Sequence, residues 1–420
     1  MQADADPFDN PAIPAGYTYL GQFIDHDITF DPASSLQRQN DPDALRDFRT
    51  PRFDLDSVYG AGPDDAPFLY QREDKTKLLI GTGPDGEPDL PRNVQDRALI
   101  GDPRNDENTI VSQLQLLFIR FHNRVVDELV KDGWPAHSST TFEEAQRVVR
   151  WHYQWIVVHD FLERMVHPAI IADIFDNEPV IVDDAPEPQS RRKINLLFFH
   201  WHKDPFMPIE FSVAAYRFGH SMIRPDYFLN GSLGTEFPIF TADPNPQPTA
   251  DLRGFKARPA GWTIDWSFFF ELGGDGLQHA HGIDSKLAAP LQTIPDADPP
   301  ALALRNLQRG VALGLPSGQR VARAMGLEPL TDAQLGLIEI SEEFRQGAPL
   351  WFYILKEAEV RETGVRLGPV GGRIVAEVLC GLLKGDPLSY INVEPNWTPR
   401  GLTGIDGNVT MPDLIRFVQA

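Results

Sequence analysis

The chain has 420 residues, 42% of them hydrophobic, which is enough apolar mass for one large core or two smaller ones. Its formal net charge of −22 repels phosphate backbones, so nucleic acid is excluded as a natural partner, and no basic face suggests adhesion to a membrane surface. The single cysteine, Cys380, rules out an intrachain disulfide; the opening residues carry Asp4, Asp6 and Asp9 rather than the features of a signal peptide, and no apolar run reaches the roughly 18 residues of a membrane span, so the sequence reads as soluble in an unspecified compartment.

Taken in chain order, the first sixty residues are rich in Pro and Asp and are expected to wrap over a helical body. Ile110, Leu114, Leu117, Phe121, Val125 and Leu129 then recur at steps of three and four, which predicts a helix over Thr109–Lys131. Thr141 and Glu144 form a capping-box pattern that opens a second helix running through Met165. Further helices are expected over 211–223, 318–325, 332–344, 371–383 and 411–418, with Ser317 as an N-cap and Gly326 as a stop. The stretches 183–192, 243–252 and 290–300 read as loops. Alternating strands are scarce and no repeat is visible. The expected fold is mainly α: a single large helical domain over 1–420 with long loops and little β.

Four segments carry chemistry-bearing side chains. In Gly21-Gln22-Phe23-Ile24-Asp25-His26-Asp27, a helix would place Gln22, Asp25 and His26 on one face and turn Asp27 to another. A neutral histidine on the first face can move a proton, and a carboxylate on the second can hold a cation. In Thr50-Pro51-Arg52-Phe53-Asp54-Leu55-Asp56, an extended loop would turn Thr50, Asp54, Asp56 and the carbonyl of Arg52 to one side, a mixed oxygen set of the kind that hard cations take, though not an EF-hand loop. Gly101-Asp102-Pro103-Arg104 can present a permanent positive charge to a pocket, with Glu107 close by. In Arg217-Phe218-Gly219-His220, the histidine faces away from the stripe of Phe211, Ala215, Phe218 and Met222, and Gly219 leaves room beside it for a flat ligand such as haem. Each segment alone also has an ordinary structural reading: surface acids, a turn with capping aspartates, an acidic helix start, a core histidine.

Their order is more specific than any one of them. GQFIDHD, TPRFDLDSVYG, GDPRNDE, FHNR, YRFGH and GLPSGQ run from Gly21 to Gln319, and together they resemble the animal-type haem peroxidase family of the peroxidase–cyclooxygenase superfamily, most of all its compact bacterial members. The resemblance implies a haem peroxidase: hydrogen peroxide oxidises the haem to an oxyferryl state, which draws electrons from a small phenolic or halide donor. It implies His26 as the distal histidine, Arg104 as the distal arginine and Gln22 as the distal glutamine. It implies Asp25 and Glu107 as the carboxylates esterified to haem, His220 as the iron ligand and Arg217 beside a haem propionate. Asp27, Thr50, Arg52, Asp54 and Asp56 match the calcium ligands. His26 and Arg104 come from separate segments, so neither is expected to be displaced by the other's motion.

The chain departs from the family in several places. Asn108 follows Glu107 and no methionine stands nearby to make the additional sulfonium link of some mammalian members. Gln319 occupies the place of the asparagine behind the proximal histidine, and keeps an amide there. Phe199-His200-Trp201-His202 resembles a cyclooxygenase motif, but Arg217–His220 fits the proximal helix better, and Arg217 then replaces the radical tyrosine. Two other readings stand beside the peroxidase: a fatty-acid dioxygenase on the same scaffold, and a haem-free binding module stabilised by calcium.

Overall fold

The computed structural model describes residues 8–29, 51–180, 189–295, 297–337, 339–341, 344, 347–399 and 407–420. Strand β1 (Asp9–Pro14) leads into helix α1 (Gly16–Ile28). Tyr17, Leu20, Phe23, Ile24 and Ile28 of α1 are fully buried. This part of the N-terminal stretch therefore lies inside the core rather than wrapping over it. Its apolar steps of three and four outweigh the Pro and Asp that dilute the composition on either side. Phe23 stacks on Phe118 of α2 (Thr109–Lys131), with ring centroids 4.7 Å apart. α2 has the expected bounds, and the Asn108 side chain caps it by accepting from Ile110 N at 2.8 Å.

α3 (Ser139–Ile156) starts earlier than the Thr141 pattern suggested. Ser138 is its N-cap, while the Thr141 hydroxyl donates to Pro135 O at 2.7 Å. The helical path continues through a π turn, Val157–Leu162, to Met165. The 211–223 helix is instead a π turn, Glu210–Ala214, followed by a tight 3-10 turn, Ala215–His220, that ends at the histidine.

α4 (Leu302–Ala312) and α5 (Leu350–Glu362) have no counterpart in the sequence reading. α5 opens Leu350-Trp351-Phe352-Tyr353-Ile354-Leu355, apolar on every side, so it shows no amphipathic period; it is a buried helix. The expected helix at 318–325 forms as Gly318–Ala324, stopped by Gly326 at φ 70°, although Ser317 makes no side-chain cap bond. Within 332–344 the described α-helix is Asp332–Leu335, and Gly336 at φ 65° ends it. α6 (Pro369–Gly385) and α7 (Met411–Gln419) cover the last two expected helices.

The described strands form two-stranded antiparallel ladders. β1 pairs with β2 (His279–His281). Phe175–Val180 pairs with Gln189–Ile194, so the end of the 183–192 loop is strand; 183–188 lies outside the described residues. The 243–252 and 290–300 loops are irregular as expected, apart from a short 3-10 turn at Ala289–Gln292. The result is a mainly α single domain around one continuous hydrophobic core. Among the described residues, no helix is long and apolar enough to cross a membrane.

Candidate active site

A cavity of about 300 Å³ lies between α1, the 102–107 segment and the 212–223 segment. Its lining includes Gln22, Asp25, His26, Arg104, Glu107, Arg217, Gly219 and His220. Residues nearly two hundred positions apart in the chain thus converge on one space. The helical supposition for Gly21–Asp27 holds: Gln22, Asp25 and His26 face the cavity, and Asp27 turns to the 54–56 loop.

On the α1 side, the carboxylate of Glu107 is central. Gln22 Nε2 donates to Glu107 Oε1 at 2.5 Å, and His26 Nε2 lies 3.5 Å from the same oxygen. His26 is buried, and its Nδ1 is 2.7 Å from Asn105 Oδ1. Glu107 is held from behind: Gly254 N donates to its carbonyl at 2.9 Å, and Arg92 makes a two-pronged bond to neighbouring Asp106 at 2.7 and 2.6 Å.

Arg104 sits in the 3-10 turn Pro103–Asp106, capped by Asp102. The fully buried Asp102 carboxylate accepts from Arg104 N at 2.9 Å and Nη2 at 2.8 Å. Arg104 Nη2 also donates to the carbonyls of His26, at 2.9 Å, and of Thr29. His26 and Arg104 do come from separate segments, but the two are bonded directly, so they are not mechanically independent as the sequence suggested.

Across the cavity, His220 ends its 3-10 turn beside Gly219, where an added Cβ would meet nothing within 4 Å. That open space is what a flat ligand needs. Burial, with Arg217 and Arg305 nearby, lowers the His220 imidazole to about 3, so the ring is neutral. Its Nδ1 lies 2.9 Å from the amide nitrogen of Asn306 on α4, and Asn306 Oδ1 accepts from Arg217 Nη1 at 3.0 Å. The amide behind His220 is therefore Asn306, not Gln319. Gln319 instead accepts from Ala348 N at 2.8 Å. The signal in the sequence was Asn306 itself, buried three residues after buried Ala303 on an amphipathic helix. Burial pulls the Arg217 guanidinium down to about 10, with Arg309 and Arg305 adding to the effect. Arg217 lines the cavity, and Arg305 and Arg309 of α4 are near enough to act on its charge, a local positive field that attracts anionic groups. Arg305 and Arg309 were missed because α4 was missed.

The acidic loop meets α1 as expected. Leu55 takes φ 59° and donates its N–H to Asp27 Oδ2 at 3.2 Å. Burial and the neighbouring Asp56 push the Asp54 carboxyl up to about 7, the kind of crowding a cation relieves. Arg52 lies in the same loop, its side chain 4.0 Å from Asp386; Thr50 falls outside the described residues. Among the described residues, no group of three or more His, Cys, Asp and Glu is gathered closely enough to hold a metal ion. His200 and His202 are exposed and lie outside the cavity lining. A larger apolar cavity of about 560 Å³, lined by Phe198, Phe206 and Met325 among others, contains neither His26 nor His220.

The animal haem peroxidase family model matches residues 35–335, and the chain belongs to that family. His26 lies ahead of the matched stretch, so its assignment stands on the cavity geometry and the GQFIDHD motif. Among relatives, a peroxidase-like protein of Margaritifera margaritifera is 26% identical over 370 residues, covering 82% of this chain and 44% of that protein. Thyroid peroxidase of Mus musculus is 26% identical over 330 residues, covering 73% and 32%. Chorion peroxidase of Drosophila melanogaster is 26% identical over 308 residues, covering 69% and 34%. The chain thus spans less than half the length of each. Among solved structures, peroxidase A of Dictyostelium discoideum superposes with a TM-score of 0.67 at 15% identity, covering 100% of this chain and 87% of that one. Fatty acid alpha-dioxygenase of Oryza sativa gives 0.63 at 17%, covering 100% and 74%. At those identities the likeness is one of fold.

Proposed function

We propose that this cavity holds haem between His26 and His220, and that the protein reduces hydrogen peroxide while oxidising a small phenolic or halide donor. The observation that carries this reading is the convergence of both histidines, Arg104, Gln22 and the two carboxylates on one cavity. Haem, when bound, supplies the redox chemistry. The chain's own groups bind it, orient it and move protons.

His220, neutral and beside the open space at Gly219, is the iron ligand. Ligation through Nε2 requires the ring proton on Nδ1. As placed, Asn306 turns its amide nitrogen to Nδ1 because Arg217 occupies its oxygen. Were haem propionates held by Arg217, Asn306 could turn its oxygen to accept from Nδ1–H and so favour ligation through Nε2. Arg217, Arg305 and Arg309 set the polarity of the cavity for those propionates. On the opposite side, His26 takes a proton from peroxide and returns it to the departing oxygen. Arg104 keeps a positive charge on the same wall, anchored by Asp102. Asp25 and Glu107, both on the cavity wall, are the carboxylates for ester links to haem. Calcium would brace the end of α1 only by drawing Asp27, Asp54 and Asp56 together with the Arg52 carbonyl and Thr50, since the three carboxylates are not gathered closely enough as placed.

The cavity wall also contains Tyr216, whose hydroxyl donates to Gly21 O at 3.2 Å. A buried phenol at this place favours a second reading, a lipid dioxygenase, which the sequence alone disfavoured because of Arg217.

The test is a spectrum of the purified protein after haem supplementation, followed by turnover of a phenolic dye with H₂O₂ and of fatty acid with O₂. A Soret band with peroxide-dependent dye oxidation is expected. Absence of the band removes both enzyme readings and leaves the haem-free calcium module. O₂ uptake on fatty acid without peroxidase turnover selects the dioxygenase.

A further inference from the structure

We propose that Asn105 is a positioning residue for His26: it fixes the Nδ1–H tautomer of the imidazole, so that Nε2 enters the cavity as a proton acceptor. This rests on the reading of His26 as the proton carrier of the cavity. The tautomer follows from a backbone carbonyl two side chains away. Ser57 O can only accept, and it lies 3.0 Å from Gln115 Nε2. Gln115 therefore gives its nitrogen to Ser57 and presents Oε1 on its other side. That oxygen also only accepts, and its neighbour is Asn105 Nδ2 at 2.8 Å. Asn105 is oriented in turn, with Oδ1 2.7 Å from His26 Nδ1. An amide oxygen cannot donate, so the proton of that bond belongs to Nδ1. In a neutral ring the lone pair is then on Nε2.

Amide side chains are ordinarily ambiguous by a half-turn, but here one carbonyl orders three residues in series. Reversing Gln115 would set two acceptors face to face at Ser57. Gln115 and Asn105 are both fully buried, where water cannot relieve such a mismatch. On the other side of the ring, Nε2 lies 3.5 Å from Glu107 Oε1, and both residues line the cavity.

The carbonyl at the head of this relay is itself pinned. Gly101 N donates to Ser57 O at 3.0 Å, and a Cβ on Gly101 would fall 2.1 Å from Asp56 O. Only glycine permits that approach. The 101–107 segment and the acidic loop therefore meet at the group that sets the histidine's tautomer.

The test uses the full chain labelled with ¹⁵N-histidine and purified without haem, with His26→Gln identifying the His26 signals. Long-range ¹H–¹⁵N spectra are compared for wild type, Asn105→Leu and Asn105→Asp. A protonated Nδ1 is expected in wild type and Asn105→Asp, and a mixed or Nε2–H ring in Asn105→Leu. In haem-supplemented protein, Asn105→Leu is expected to keep the Soret band and react with H₂O₂ about a hundredfold more slowly, with Asn105→Asp recovering much of the loss. A wild-type His26 with its proton on Nε2, or an Asn105→Leu spectrum identical to wild type, overturns the proposal. An Nδ1–H ring in a chain that shows no Soret band supports the tautomer assignment and overturns the haem reading instead.

Discussion

Acidification tests the interior of the helical body at His122, the histidine of the FHNR motif that the active-site reading does not use. His122 is fully buried on α2, with Nε2 2.8 Å from Thr76 O and Nδ1 3.0 Å from the Tyr59 hydroxyl. The carbonyl requires the proton on Nε2, so Nδ1 accepts from Tyr59. Burial lowers this imidazole from 6.5 to about 4. The sign follows from that order. As pH falls, the unfolded chain takes up a proton near 6.5 while the folded ring resists until about 4, so stability is lost progressively across that window. Between pH 7 and about pH 4.5 the loss is about 2 kcal/mol for this ring. His152, buried and also lowered to about 4, contributes a similar amount. Together they remove a sizeable part of the roughly 5–15 kcal/mol that holds a typical domain. Urea unfolding at the two pH values, for wild type and His122→Gln, measures the effect. Glutamine can keep the bond to Thr76 O but does not titrate. Wild type is expected to lose about 2 kcal/mol more than the variant on acidification. Equal losses in the two proteins would refute the assignment of acid sensitivity to His122.

Three further outcomes are expected at the cavity. Asn306→Leu removes the amide behind His220 and is expected to weaken haem affinity about 10–100-fold in a haem titration; unchanged affinity removes Asn306 from that role. Asp25→Ala combined with Glu107→Ala is expected to release haem into acidic acetone, whereas wild-type haem stays with the protein after peroxide turnover. Complete extraction from wild type would end the ester proposal. Chelation with EGTA is expected to lower the melting temperature, with recovery on adding Ca²⁺ and a smaller effect in Asp27→Asn. A melting temperature indifferent to EGTA in wild type counts against the calcium site.

The parts of the fold legible in the sequence are those whose stabilisation is periodic. α2 was bounded correctly because its apolar stripe is long and its flanks polar. α5 leaves no such trace, since Leu350–Leu355 is apolar on every side and the period vanishes. α1 was visible as a motif but misplaced as a wrapping segment, because averaging over sixty residues mixed a core helix with its Pro- and Asp-rich flanks. The same limit applies to the site. The motif side chains His26, Arg104 and His220 line one cavity. The amides that meet the two imidazoles are not legible in the sequence: Asn105 shares a motif with Arg104 without standing out from it, and Asn306 lies on an unanticipated helix. Gln319 has the motif position but not the proximity: it accepts from Ala348 N, and the fold brings Asn306 to the ring instead.

The bond from Arg104 to the carbonyls of His26 and Thr29 changes what mutation of that arginine can reveal. His26 lies in the last turn of α1 and Thr29 is its C-cap, where a helix has surplus acceptors and a negative pole. Arg104 is thus a helix terminator as well as a wall of the cavity. An anion drawn toward its guanidinium competes with the end of α1 for one charge, and ligand occupancy and fraying of that turn become linked equilibria. Because Asp27 lies in the same turn, a loss of peroxide reactivity in an Arg104 variant reports on the geometry of the turn and on the charge together. Separating them requires a measurement of helix-end protection, such as amide exchange at Ile28 and Thr29, alongside any rate.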